Sequence, residues 1–60
     1  MTDEEYATLA RLLDEAAQAD QRLAMRSDDP VEWYQARVNV DFFTAARNAA
    51  RDHGKAIRDG

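Results

Sequence analysis

The chain has 60 residues, of which 45% are hydrophobic and 33% charged, and its formal net charge is −4. A chain of this length forms one domain and buries only about 60% of its unfolded surface, so it gains from a disulfide, a metal or a second subunit. The absence of cysteine excludes a disulfide framework and cysteine-ligated metal sites. The negative net charge disfavours bulk attraction to nucleic acid or to an anionic membrane.

The same composition predicts where the protein is found. Residues 1–5 are polar and acidic, whereas a signal peptide begins with positive charge. No apolar run approaches the roughly 18 residues of a membrane span. We therefore expect a cytoplasmic protein that does not contact membranes.

The first predicted helix covers residues 3–26. Thr2 and Glu5 have the spacing of a capping box, in which each side chain binds the backbone N–H of the other residue. Apolar residues then recur every three or four positions. They are Tyr6, Leu9, Leu12, Leu13, Ala16 and Leu23. Asp20 interrupts this face. It is either an interfacial carboxylate that fixes a pairing register or a solvated residue near the turn.

A turn is predicted at residues 27–29, followed by a second helix from residue 30 to about residue 57. Pro30 disfavours helical geometry at Asp29 and suits the first position of a new helix. Asp29 and Glu32 have the spacing of a second capping box. Gly54 weakens the final turns or ends the helix. The short connection predicts one all-α domain over residues 1–60, an antiparallel two-helix hairpin.

The second helix carries two apolar stripes that together cover more than half of its circumference. The first stripe contains Val31, Tyr34, Val38, Phe42, Ala45, Ala49 and Ala56. The second stripe contains Trp33, Ala36, Val40, Phe43, Ala46, Ala50 and Ile57. We expect the first helix to cover the first stripe, pairing positions whose numbers sum to about 55. The remaining stripe then predicts a homodimeric four-helix bundle with Val40, Phe43, Ala46 and Ala50 at the dimer interface.

Trp33, Tyr34 and Arg37 stand within five residues, and these residue types are enriched among the energetic anchors of protein interfaces. The alternative is that both aromatic residues close the dimer core. Seven arginines, one lysine and twelve alanines are typical of a GC-rich genome. We therefore predict a small homodimeric protein-interaction module, a regulator, adaptor or inhibitor of bacterial or phage origin.

The second helix also carries a basic arc, which predicts an alternative function. Arg47, Arg51, Lys55 and Arg58 share this arc, and guanidinium groups suit phosphate oxygens. A helical hairpin that binds RNA or DNA is thus the second hypothesis. The competing interpretation is charge pairing, since the ends of a hairpin bring Asp3, Glu4 and Glu5 close to these basic residues.

Residues 47–53 include Arg47, Asn48 and His53. An arginine followed by a polar residue and, after four to six positions, by a histidine resembles the motif of HEPN-type ribonucleases. This resemblance covers seven residues. It implies a site across a dimer interface, with His53 in acid–base chemistry and Arg47 stabilising phosphate charge. His53 has no second ligand at matching helical spacing. We accordingly predict a non-enzymatic protein without metal or cofactor, and keep the ribonuclease as a third alternative.

Overall fold

The computed structural model describes all 60 residues and contains two helices, α1 (Asp3–Arg26) and α2 (Pro30–Asp59). The helices are joined by three residues and pack along their length, forming an antiparallel hairpin that measures 46 × 13 × 13 Å. There is no β-strand. The predicted all-α helical hairpin is therefore confirmed. Neither helix has an apolar stretch long enough to cross a bilayer.

The start of α1 is fixed by the predicted capping box. The Thr2 hydroxyl accepts a hydrogen bond from the Glu5 backbone N–H at 3.1 Å, and Glu5 Oε1 accepts one from the Thr2 N–H at 2.9 Å. The bond from the Thr2 N–H favours the ionised carboxylate and lowers the pKa of Glu5. Two of the four unpaired N–H groups that every helix start presents are satisfied in this way.

The turn uses a different capping arrangement from the one predicted. Asp29 Oδ1 accepts from the Val31 N–H at 2.9 Å, and Pro30 takes the first helical position. Glu32 makes no return bond, so the predicted second capping box is wrong. The reason is local, because the Asp29 N–H that Glu32 would bind donates instead to Ser27 Oγ at 3.2 Å. The Ser27 N–H in turn closes α1 by donating to the Leu23 carbonyl at 3.0 Å.

The two helices meet along a seam of small residues. On α1 the buried positions are Ala10, Ala17 and Ala24, which are spaced by seven residues. On α2 the buried positions are Ala36, Val40, Ala50 and Gly54. Every buried residue is Ala, Val or Gly, and no large side chain is fully buried. Small side chains leave little between the backbones, so this seam brings the two helices close together.

The pairing register differs from the predicted one. Tyr6 lies against Gly54, and Asp14 forms an ion pair with Arg47, so opposed positions have numbers that sum to about 60. The predicted sum of 55 is wrong. The predicted register placed Leu9 and Leu13 against α2. In the structure, the helices instead meet through the small residues of the seam. Large side chains are consequently left on the outside of the hairpin.

Gly54 does not end α2. The helix continues to Asp59 and is closed by the Gly60 N–H, which donates to the Ala56 carbonyl at 2.9 Å. A Cβ added at Gly54 would lie only 3.0 Å from the Tyr6 Cβ. The glycine therefore makes room for Tyr6, and its role is in the packing between helices rather than in helix termination.

Candidate functional site

The two apolar stripes of α2 have exchanged the roles that were expected of them. Val40 and Ala50 from the second stripe are 8% and 4% exposed because they pack on α1. Phe42 from the first stripe is 67% exposed, and Val38 is 47% exposed. Within the hairpin, Val40 and Ala50 are thus inaccessible to a second copy. The other two residues predicted for a dimer interface, Phe43 and Ala46, are half-buried.

One side of the seam carries a group of exposed and half-buried apolar residues, which we call the apolar face. Leu9, Ala16 and Leu23 each precede a seam residue of α1 by one position, so the three lie on the same flank of that helix. The apolar face comprises Leu9, Leu12, Ala16, Leu23, Val38, Phe42, Ala46 and Ala49. The Phe42 ring meets the Phe43 ring edge-on, with centroids 5.8 Å apart. The apolar face therefore extends inward to Phe43, which is half-buried beside the seam.

The opposite side of the seam is charged, and we call it the polar face. A groove on this side is lined by four basic residues and three acidic residues. They are Arg11, Arg51, Lys55, Arg58, Asp3, Glu4 and Asp14. Three of the four residues predicted to contact nucleic acid therefore lie together in one groove. They share it with acidic side chains from α1.

Arg47, the fourth of those residues, is already engaged. Its Nη1 donates to Asp14 Oδ1 at 2.5 Å, and its Nε and Nη2 donate to Asn48 Oδ1 at 3.3 and 3.1 Å. The Arg47 guanidinium lowers the pKa of Asp14, and Gln18, which donates to Asp14 Oδ2 at 2.8 Å, acts in the same direction. Arg47 joins the two helices and is not free to bind phosphate.

The acidic and basic residues at the chain ends lie near one another, but they do not form the expected ion pairs between the two helices. Asp3 and Glu4 line the groove that contains Arg51, Lys55 and Arg58, but none of these acids lies within 4 Å of the basic groups. The Glu5 carboxylate is occupied by Thr2. Arg58 is 3.8 Å from its neighbour Asp59, and both side chains are exposed. Arg51 and Lys55 remain without a close carboxylate.

The predicted partner-binding residues form an exposed patch near the turn. Trp33 is 47% and Tyr34 67% exposed, and Arg37 is also exposed. Their spacing of three and four residues keeps the three side chains on the same side of α2. Tyr34 borders the apolar face because it is four residues from Val38. Trp33 and Arg37 lie toward the polar side of α2, so this part of the patch remains accessible when the apolar face is covered.

The residues that resemble the HEPN motif do not converge within the hairpin. His53 stacks on Tyr6 with ring centroids 5.6 Å apart and planes inclined by 20°. Arg47 contacts Asp14 on the opposite flank of the seam. The two residues are six positions apart, which is about 9 Å along a helix. No group of three or more His, Asp or Glu side chains is arranged to hold a metal ion.

Asp20 is half-buried beside the turn, on the flank of the apolar face. It lines a shallow groove with Asp29, Glu32, Gln35 and Asn39. Neither Asp20 nor Asn39 forms a side-chain hydrogen bond within the hairpin, and no buried polar side-chain atom lacks a partner. Water therefore reaches the carboxylate, as the solvated interpretation expects.

Sequence reasoning missed two features of the seam. The first is the role of Ala10, Ala17 and Ala24, whose seven-residue spacing is visible in the sequence and would have indicated the seam. The second is the close approach at Gly54. A glycine inside a helical pattern is a signal for such packing.

Fold and surface together define a small helical hairpin with one apolar and one charged face. Comparison with protein families, curated proteins and solved structures finds no match for this chain. Its function is therefore inferred from its own surfaces.

Proposed function

We propose that this chain is a non-enzymatic protein–protein interaction module that acts as a homodimer, in which two hairpins pack through their apolar faces into a four-helix bundle. The observation that carries the proposal is the exposure of that face. Phe42 is 67%, Leu12 51% and Val38 47% exposed. Large contiguous apolar patches on monomeric proteins are rare and mark interaction sites.

The energetic argument is that the hairpin alone has a thin core. Its buried residues are no larger than valine, whereas full burial of a side chain such as Phe or Leu stabilises by about 1.5–3 kcal/mol. A second copy would bury Phe42, Leu9 and Leu12 from each chain. This gain is large relative to the stability of about 5 kcal/mol at most that a single small core supplies.

In the proposed dimer, the patch of Trp33, Tyr34 and Arg37 stays exposed and can bind a different protein. Aromatic and arginine side chains anchor many interfaces because they contribute large area together with a polar group. We therefore propose that the dimer is a regulator, adaptor or inhibitor that binds its target through this patch near the turn.

A matched pair of variants tests the dimer. Phe42 and Tyr34 are both aromatic, both on α2 and both 67% exposed, but only Phe42 belongs to the apolar face. By sedimentation velocity at micromolar concentration, we expect the wild type and Tyr34→Asp to be dimers and Phe42→Asp to be a monomer. A wild type that sediments as a cooperatively folded monomer would contradict the proposal.

A second candidate is an RNA- or DNA-binding hairpin. It is favoured by Arg51 and Lys55, which lie in the groove of the polar face without a carboxylate within 4 Å. This candidate predicts binding to a labelled RNA hairpin or DNA duplex that weakens steeply with salt. The Arg51→Ala/Lys55→Ala variant should abolish this binding, and Arg22→Ala on α1 should leave it intact. Absence of salt-dependent binding would remove this candidate.

A further inference from the structure

We propose that one flank of α2 binds an acidic helix of a partner protein along most of its length, from Trp33 near the turn to Lys55 near the chain ends. This inference rests on the protein-interaction module proposed above and names the chemistry of its partner. The flank lies on the polar side of the seam, opposite the apolar face. It therefore stays open in whichever orientation two apolar faces pack.

All five basic residues of α2 lie on one arc of the helix, which we call the basic flank. They are Arg37, Arg47, Arg51, Lys55 and Arg58. At 3.6 residues per turn, they fall within about 80° of the circumference. Trp33 falls in the same arc, whereas the four acidic residues of α2 fall outside it. The aromatic residue of the proposed patch and the basic residues of the groove are thus parts of one surface.

Three of these basic residues are free to pair with a partner. Arg37, Arg51 and Lys55 are exposed, and none of them has a carboxylate within 4 Å. Arg47, which lies between them, is already held by Asp14. Arg37 and Arg51 are 14 positions apart, which is about 21 Å along the helix. The basic flank therefore offers free positive charge in two places, with a neutral stretch between them.

The groove beside the basic flank has a shape that suits a helix. Its floor contains Ala7, Ala10 and Gly54, so a partner can approach the two helices closely. Helices pack by placing the side-chain ridge of one into a groove of another, and amphipathic helices bind hydrophobic grooves through one face. Trp33, at the turn end of the same flank, adds one large apolar contact.

Acidic residues of α1 favour a protein over a nucleic acid as the partner. Asp3 and Glu4 line the same groove, where they would repel an unbroken row of phosphates. Duplex DNA carries about one charge per 1.7 Å, whereas a protein helix can place carboxylates opposite the free basic residues alone. Charge complementarity therefore specifies a partner helix with acidic residues about 14–18 positions apart and a neutral stretch between them.

The fluorescence of Trp33 tests the inference, because Trp33 is the only tryptophan. The probe is an alanine-based helical peptide of about 24 residues, with leucine and glutamate near both ends so that it fits in either direction. At low salt we expect this peptide to shift the Trp33 emission to shorter wavelength. A twin peptide with lysine in place of glutamate should leave the emission unchanged, and added salt should weaken the binding.

A pair of charge variants tests whether the basic flank acts as one surface. Arg51 and Lys55 lie 18 and 22 positions from Trp33, at least about 27 Å along the helix, so they do not alter its emission directly. We expect Arg51→Gln/Lys55→Gln to weaken the binding that Trp33 reports about three- to tenfold, since two exposed ion pairs are lost. The matched control, Arg22→Gln/Arg26→Gln, removes two charges from the side of α1 away from the groove and should bind like the wild type.

The outcomes are distinct. If Arg51→Gln/Lys55→Gln binds like the wild type, the basic flank is not one surface, although the patch at Trp33 still binds protein. No response to the acidic peptide, or an equal response to its lysine twin, would overturn the acidic helix as partner. A response to a labelled RNA hairpin instead would assign the flank to nucleic acid. Sedimentation of the same samples tests the dimer separately, because a monomer that binds the acidic peptide would overturn the dimer alone.

Discussion

Gly54 and Tyr6 show how one residue sets the distance between the helices. A glycine in a helix lowers its stability by about 1 kcal/mol relative to alanine. Here the missing Cβ leaves space for Tyr6, whose ring stacks on His53 in the adjacent turn. The sequence did not predict the role of Gly54 in packing, because the residue opposite Gly54 depends on the pairing register.

Gly54→Ala is expected to destabilise the protein by up to about 2 kcal/mol. The gain in helix propensity is about 1 kcal/mol, but the new Cβ would lie 3.0 Å from the Tyr6 Cβ. Overpacking of this kind costs about 1–3 kcal/mol. Ala56→Gly is the control, since Ala56 is exposed and this exchange reports propensity alone. In urea unfolding, stabilisation by Gly54→Ala equal to the loss in the control would contradict the proposed role.

Asp14 and Arg47 predict a dependence of stability on pH. Arg47 lowers the pKa of Asp14 in the folded chain, while the unfolded value is about 3.9. The ion pair therefore stabilises the protein above that pH, and the effect is lost as the pH falls through the folded pKa. We expect Asp14→Asn to be less stable than the wild type at pH 7, with the difference vanishing in strong acid.

The control for this prediction is Glu15→Gln. Glu15 forms an exposed ion pair with Arg11 on the same helix, at 3.5 Å. Exposed pairs of this kind contribute little, so its unfolding free energy should follow that of the wild type across the pH range. Equal acid sensitivity of Asp14→Asn and the wild type would show that the cross-helix pair does not contribute.

At the scale of the helices, the sequence correctly predicted most features whose partners are close in sequence, with Glu32 as the exception. The capping box of Thr2 and Glu5, the helix start at Pro30 and the cap at Asp29 all depend on neighbours within three residues. The error at Glu32 arose because Ser27 competes for the same N–H. The interhelix register depends on contacts more than thirty residues apart, and the periodicity of one helix cannot determine it.

The cap at Asp29 predicts a clear difference between two neighbouring carboxylates. Asp29→Ala removes the acceptor of the Val31 N–H and should lower the free energy of unfolding by about 1 kcal/mol. Glu32 makes no hydrogen bond to the cap, so Glu32→Ala should change stability far less. Both values come from denaturant titration of single variants. A larger loss for Glu32→Ala would indicate the capping box that the structure lacks.

At the scale of the whole molecule, the sequence predicted that α2 has more apolar surface than one partner can cover, and the exposure of Phe42 and Val38 agrees with this. The prediction that α1 covers the first stripe and leaves the second open was wrong. Both stripes are similarly apolar. Which stripe packs on α1 depends on Ala10, Ala17 and Ala24, and the close packing of these alanines depends on both helices together. The residues of the candidate dimer surface therefore had to be read from the structure.

The thin core has a consequence for how much of the protein is active in a cell. The buried residues of the hairpin are no larger than valine. In the proposed dimer the core would be completed only on pairing, so folding and association would form one equilibrium. The apparent melting temperature of such a protein rises with its concentration. The folded fraction then increases as the chain accumulates, while chains made at low levels stay open to proteases. On the proposed mechanism, expression level itself acts as the switch for the module.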